Sequence, residues 1–238
     1  MTPDPMTEKL RPLHGGRILD VACGFGDFLK LLTDSFQDFT EAVGIDRLDR
    51  VDEATRKFGD SGLLFRKMDA ERIEYDEAYF DTVAMRHSLH HLTHPDKVFA
   101  QIARVLKPGG MFVLGEVYRD PATERPNSQR HLHHFWAEVD RVFDIPHYDT
   151  VSRAEVVQLV ERAGLRAEEV FDYQEKSSEA ETKEALDAML KYTSDQIEKL
   201  RAAGGHEELI AKGEELVERF RRDGYVDEAM IYILARKP

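Results

Sequence analysis

Cys23 is the only cysteine in 238 residues. A single thiol excludes an internal disulfide framework, a cysteine-based zinc site and a cysteine-ligated iron–sulfur cluster. It fits a reducing cytoplasm. Long hydrophobic runs are also missing. The best of them, such as Gly110–Val117, are short and broken by charge, so no membrane-spanning helix is expected. Met1–Leu13 has prolines and acids but no apolar stretch of the kind a secretory signal needs. Positive charge is in deficit. Lys and Arg number 33 against 46 Asp and Glu, a formal net charge of −13. Nucleic acid is not an expected partner, because affinity for a polyanion is mostly phosphate neutralisation. Repeats and low-complexity linkers are absent too.

What remains is 42% hydrophobic and 33% charged, enough for a single domain over residues 1–238 with room for an extra element. Short apolar runs alternate with helical patterns. Strands are expected at Arg17–Ala22, Glu41–Asp46, Leu63–Met68, Phe80–Met85 and Met111–Val117. Helices are expected at Asp27–Phe36, Asp49–Phe58 and Asp96–Leu106, the last opened by Pro95 and ended by Pro108-Gly109-Gly110. Arg153–Ala163 reads as a further helix, with Ser152 and Glu155 as a capping box and Gly164 as its stop. Leu165–Tyr173 and Ala229–Ala235 read as the sixth and seventh strands. The fold class is α/β, a seven-stranded, mostly parallel sheet with helices on both faces.

Two segments break the alternation. Residues 118–150 are rich in His, Pro and aromatics. Residues 175–224 read as a helical hairpin inserted before the last strand. Leu186, Met189, Leu190, Thr193, Ile197 and Leu200 keep helical spacing, Gly204-Gly205 breaks it, and Leu209, Ile210, Leu216, Val217 and Phe220 resume it. Charges such as Glu179, Glu181, Lys183, Glu184, Glu198 and Lys199 mark a solvated face. Both segments are expected to act as a cover, or the hairpin as a subunit contact in a homodimer.

The first strand runs into Asp20-Val21-Ala22-Cys23-Gly24-Phe25-Gly26. Glycines at a strand-to-helix turn let a ligand approach the backbone, and the following helix offers unpaired N–H groups. Asp46 ends the second strand, where an acid can hold a ribose diol. The third glycine of a dinucleotide fingerprint is missing, since Leu29 stands there. Asp20 would attract a cation and oppose a pyrophosphate. The implied ligand is a nucleoside carrying an ammonium and a carboxylate. Cys23 reads as a small filler in the loop.

With these residues in place, the sequence resembles a class I S-adenosylmethionine-dependent methyltransferase. It stands close to the branch of the ubiquinone/menaquinone C-methyltransferases and related small-molecule enzymes. The resemblance covers roughly Arg17–Val117. Ala22 stands in place of the first glycine of the family's acid-and-glycine motif. Asp46 matches the ribose acid, Asp69-Ala70 the adenine-contacting pair, Phe80–Val83 with Arg86–Leu92 the fourth-strand motif, and Val105–Gly110 the turn into the fifth strand. The resemblance implies S-adenosylmethionine as cofactor, S-adenosylhomocysteine as product, and a cofactor site of Asp20, Ala22, Gly24, Gly26, Asp46, Arg47, Asp69, Ala70 and Arg86.

Ten histidines occur, mostly in two clusters: His87, His90, His91 and His94, then His131, His133 and His134 with His147 downstream. Metal ligation and acid–base chemistry are both open to them. Glu138 and Asp140 have no tight H-x-x-x-H partner, so no metal is assigned. Methyl transfer is an in-line displacement, and a histidine can take the acceptor's proton. His87, just past the fourth strand, is the first candidate for the base, followed by His91 and His134. Met85–Ser88 lacks the Asn/Asp-Pro-Pro-Tyr pattern of enzymes that methylate base amino groups or glutamine. The aromatics of residues 118–150 suit a small organic acceptor, or else a local packed core. Two further alternatives are a non-catalytic S-adenosylmethionine-binding protein and an NAD-linked oxidoreductase, against which Leu29 argues.

Overall fold

A computed structural model describes residues 5–119, 128–173, 179–226 and 230–238, with the side chains of 179–182 also left out of the description. Parts of three expectations lie outside these residues: 120–127 of the 118–150 segment, the first residues of the hairpin, with the side chains of Glu179 and Glu181, and Ala229 of the last strand. The described chain divides into two compact units. One holds most of residues 3–116, 153–173 and 230–238. The other holds the described residues of 117–152 and 174–229.

The first unit is the sheet. Its strands are β1 (Arg17–Val21), β2 (Glu41–Asp46), β3 (Leu64–Lys67), β4 (Phe80–Arg86), β5 (Leu106–Val117), β6 (Arg166–Tyr173) and β7 (Met230–Arg236), in the order β3-β2-β1-β4-β5-β7-β6. β1 pairs in parallel with β2 and β4, β2 with β3, and β4 with β5. β6 and β7 are antiparallel. The N–H of Gly109 bonds the carbonyl of Lys237, and the N–H of Lys237 bonds that of Gly110, so the start of β5 meets the end of β7. β7 therefore runs against its neighbours. The near-continuous burial of β1, β2 and β4 is what a strand covered on both faces requires.

The helices of this unit are α1 (Pro5–Leu10), α2 (Asp27–Ser35), α3 (Arg50–Phe58), α4 (Pro95–Val105) and α6 (Arg153–Arg162). Right-handed crossovers send α2 and α3 to one face, as the strands run outward from β1, and α4 to the other. Every strand expected from sequence is present to within a residue or two, except the start of β5. There, Lys107-Pro108-Gly109-Gly110 is absorbed as a bulge and does not form a separate turn. Phe80 pairs with Leu106 and Thr82 with Met111, so four residues of β5 are looped out opposite one of β4. α1 was not expected. Met6 and Leu10 lie one helical turn apart and are fully buried in the cluster that holds Leu29, Leu32 and Phe36 of the α2 region.

The second unit is helical: α5 (Gln129–Val142), α7 (Glu179–Ala203) and α8 (Glu207–Asp223). The hairpin breaks at Gly204-Gly205, as its sequence indicates. Its stripe of Leu190, Ile197, Leu200, Leu216, Val217 and Phe220 packs on Leu132, Phe135 and Val139 of α5. The stripe is thus covered by the chain's own α5 and needs no second copy to bury it. Phe135, Trp136 and Phe143 belong to this packed core, which is the alternative to a pocket-lining role. The indole of Trp136 donates to Thr193 Oγ1 at 2.9 Å, and the same hydroxyl donates to the Met189 carbonyl. Lys183, Glu184 and Glu198 are exposed as expected, while Lys199 is half-buried with its ammonium 3.8 Å from the centroid of Phe143.

Candidate functional site

The carboxyl ends of β1, β2, β3 and β4 bring the sequence motifs together. After β1 the backbone turns through three left-handed residues, Ala22, Gly24 and Gly26, with φ of 56°, 52° and 83°. The turn is tied to β2 at Asp46. Oδ2 of Asp46 accepts the Gly24 N–H at 3.0 Å, and Oδ1 accepts that of Leu48 at 2.9 Å. Asp46 is buried, and each oxygen keeps a second lone pair for a hydroxyl. Its carbonyl accepts the Met68 N–H, which sets the end of β3 beside it. Asp69 follows there, exposed, its Oδ1 accepting the Glu71 N–H at 2.9 Å, with Ala70 half-buried next to it. Arg47 is exposed on the loop after β2.

The two glycines of the turn do different things. A Cβ on Gly24 would meet no heavy atom within 4 Å, so this face of the loop is open. A Cβ on Gly26 would lie 2.5 Å from the ring of Phe65. Gly26 is therefore a packing glycine as well as the N-cap of α2, which has no side-chain cap. Cys23 packs on Gly44, and burial, then the charges of Asp20 and Asp46, push its thiol far above the ordinary range. That is the signature of an inert filler.

Asp20 and Arg86 are the charged pair of the site. Asp20 is buried on β1, and its Oδ2 has no hydrogen-bond partner. Burial, then the charge of Asp46, raise its carboxyl well above the usual carboxylate range, against the Leu29 N–H and the Arg86 charge. Arg86 ends β4, its guanidinium 5.5 Å from the ring centroid of Phe28 and 6.0 Å from that of Tyr232. Its Nε is buried and also lacks a partner. An unpaired buried acceptor and donor are costly, and a ligand carrying an ammonium and a carboxylate would satisfy both.

Beyond β4 the chain turns at His87, whose φ of 51° is uncommon for a side-chain-bearing residue. His87 is exposed, and its N–H donates to the Gly115 carbonyl. His91 is half-buried at the end of a short 3₁₀ turn, Leu89–His91. This loop is held by Glu116, a residue the sequence did not bring forward. Oε2 of Glu116 accepts the N–H groups of Ser88 and Leu89 at 3.0 and 2.7 Å, and Oε1 pairs with His90 Nδ1 at 2.9 Å. Burial raises its carboxyl, but the His90 charge and hydrogen bond, with help from His87 and the Leu89 N–H, leave it below the usual range. Ser88 Oγ bonds the carbonyls of Arg86 and Ala22, joining this loop to the glycine turn. Exposed Phe25 and Leu48 flank the turn and had no signal beyond their place beside the motif. His134 lies in the helical unit, on α5, with Nε2 3.1 Å from Thr150 Oγ1.

The comparisons agree with this geometry. Residues 19–114 match the family model described as a methyltransferase domain. This is the class I methyltransferase fold. Among curated relatives, the ubiquinone/menaquinone biosynthesis C-methyltransferase of Stutzerimonas stutzeri is 35% identical over 112 residues, 43% of this chain and 42% of that protein. The chain thus spans less than half the length of the curated relatives it matches. Solved methyltransferase-fold structures align over 98% of the chain. Geranyl diphosphate C-methyltransferase from Streptomyces coelicolor, in complex with Mg2+, geranyl diphosphate and S-adenosyl-L-homocysteine, gives a TM-score of 0.58 at 16% identity over 76% of its chain. The [4+2]-cyclase SpnF gives 0.60 at 21% over 79%. At such identities the likeness is one of fold. The described residues of this methyltransferase-fold chain include no helix long and apolar enough to cross a membrane.

Proposed function

We propose that the protein is an S-adenosylmethionine-dependent methyltransferase acting on a small organic molecule. The observation that carries the reading is the pair of buried, unpartnered groups, Asp20 Oδ2 and Arg86 Nε, beside the glycine turn. Asp20 holds the ammonium of the cofactor's amino acid and Arg86 its carboxylate. The open face at Gly24 admits the ligand to the backbone. Asp46 would take the ribose diol with its remaining lone pairs, and Asp69 and Ala70 would meet the adenine. Gly26, Ala22 and Arg47 shape the turn and its rim. When bound, S-adenosylmethionine supplies an electrophilic methyl group. The chain's own work is to fix its orientation and to accept a proton from the methyl acceptor. His87 is the first candidate for that base, because it projects from a strained turn at the end of β4 and Glu116 anchors the loop behind it. His91 and His134 follow. The match to quinone C-methyltransferases supports a small-molecule acceptor, and the single buried Cys23 supports a cytoplasmic setting. Self-association is the least supported part, since α5 already covers the hairpin's apolar stripe.

Calorimetry with S-adenosylhomocysteine tests the cofactor site. Binding is expected, and Asp46→Ala should weaken it by roughly tenfold to a hundredfold, about 1.5–3 kcal/mol. The absence of heat with well-folded protein overturns the reading. A methyl-release assay across a panel of small acceptors then separates an enzyme from a protein that only binds the cofactor, the distinction that a cyclase on the same fold makes necessary.

A further inference from the structure

The helical unit holds a line of titratable groups, two of them buried, outside the candidate cofactor site. After α5 the chain turns through Phe143–Ile145, whose N–H groups bond the carbonyls of Asp140 and Arg141, and runs back along the helix. His147 is thereby laid against two residues of one helical face, Asp140 and His133. These are seven positions apart, about two turns. His147 Nδ1 is 2.9 Å from Asp140 Oδ2, and His147 Nε2 is 2.9 Å from His133 Nε2. Both imidazoles are buried. Arg141 clamps the returning segment by donating to the His147 carbonyl at 2.8 Å.

We propose that His133 and His147 form a binding site for a borderline divalent cation of the zinc or cobalt class, with Asp140 orienting His147. The carboxylate of Asp140 draws the proton of His147 to Nδ1, so Nε2 presents a lone pair. A carboxylate behind a ligating imidazole is the usual arrangement at metal sites and raises the ligand's basicity. The lone pair faces the ring nitrogen of His133. Two imidazole nitrogens at this distance share either a proton, in a hydrogen bond, or a metal ion. Tetrahedral coordination at about 2.0–2.1 Å per bond sets two nitrogens roughly 3.3–3.4 Å apart. The pair has to open by only about half an ångström to admit the ion. Imidazole donors select zinc, cobalt, nickel or copper over magnesium or calcium. The H-x6-D-x6-H spacing is not a helical ligand motif, and it becomes one site only because the chain reverses at Phe143–Ile145.

The test uses the untagged full chain, stripped with a chelator and titrated with Co2+, followed by displacement with Zn2+. One equivalent is expected, with the visible absorption of tetrahedral cobalt. His133→Gln and His147→Gln should each weaken binding by at least tenfold, and Asp140→Asn by roughly tenfold to a hundredfold. His14→Gln, at an exposed histidine, should leave it unchanged. If the buried variants fail to fold, nitrogen hyperfine coupling from bound Cu2+ in the wild-type chain serves as the second readout. The proposal is overturned if folded wild-type protein takes up no stoichiometric metal, which would make the pair a plain hydrogen bond. It is equally overturned if uptake survives both histidine replacements, or if the copper spectrum lacks histidine nitrogen. None of these outcomes depends on S-adenosylmethionine binding.

Discussion

Asp20 is where charge, burial and ligand meet in one side chain. Its carboxyl is raised well above the usual range, burial being the main cause and Asp46 the next. A raised carboxyl contributes stability that is complete below its unfolded value and is lost as pH rises through its folded value. The ligand-free protein should therefore lose part of its stability across that window. A cationic ligand favours the ionised form and offsets the loss. Affinity for S-adenosylmethionine should fall as pH drops through the raised value, approaching tenfold per pH unit below it. Asp20→Asn should bind weakly with no pH dependence in that window, which calorimetry at several pH values would check; an unaltered pH dependence in the variant would place the titration elsewhere. The two turn glycines separate stability from binding. Gly26→Ala should destabilise the fold by about 1–3 kcal/mol, since its methyl group meets Phe65 at 2.5 Å. Gly24→Ala, facing open space at φ 52°, should cost only about 1–2 kcal/mol in backbone strain yet weaken S-adenosylhomocysteine binding. Thermal melts with and without ligand distinguish the two. Asp20, Asp46 and both glycines were legible in the sequence because they sit at fixed offsets from strand ends. Glu116 was not, because its role depends on β5 lying beside β4, a contact between residues 26–28 positions apart.

At the scale of elements, legibility followed periodicity. Buried strands such as β2 appear as continuous apolar runs, and their ends were placed to the residue. α5 was missed although Leu132, Phe135 and Val139 recur at helical spacing, because the intervening His131, His133 and His134 and the aromatics read as loop chemistry. α1 was missed because six residues carry too little pattern to stand out. The start of β5 was placed late because Pro108 and two glycines signal a turn, and a bulge uses the same residues. Packing between helices adds a constraint that no periodicity reveals. Gly213 lies on α8, where a Cβ would sit 2.5 Å from Phe135 Cζ and 2.9 Å from Ile197 Cγ1. In an exposed helix, Gly→Ala stabilises by about 1 kcal/mol. Here Gly213→Ala should instead destabilise by about 1–3 kcal/mol, because two side chains of α5 and α7 must move. Denaturant melts decide the sign, and a stabilised variant would mean that the three helices pack less closely than described.

At the scale of the molecule, the chain is a sheet unit interrupted twice, by 117–152 and by 174–229. The second interruption falls inside an antiparallel pair whose last partners are Tyr173 and Met230. A closed pair can accept a long insertion because loop-closure entropy grows only logarithmically with length. By the same geometry it can accept a two-residue hairpin turn. Replacing residues 174–229 with Asn-Gly should therefore leave the β6–β7 pair, the glycine turn and Asp46 in place. The deletion also removes the partners of Leu132, Phe135 and Val139 on α5, whose stripe would then face solvent. The shortened chain should still bind S-adenosylhomocysteine with an affinity within about tenfold of the full chain. It should also bind an apolar dye such as ANS more strongly than the full chain, because α5 has lost its cover. Joint replacement of Leu132, Phe135 and Val139 by polar residues should abolish the gain in dye signal while leaving cofactor binding intact. If the shortened chain fails to fold in both versions, the hairpin is part of the sheet unit's own stability, and the division into two compact units does not extend to folding.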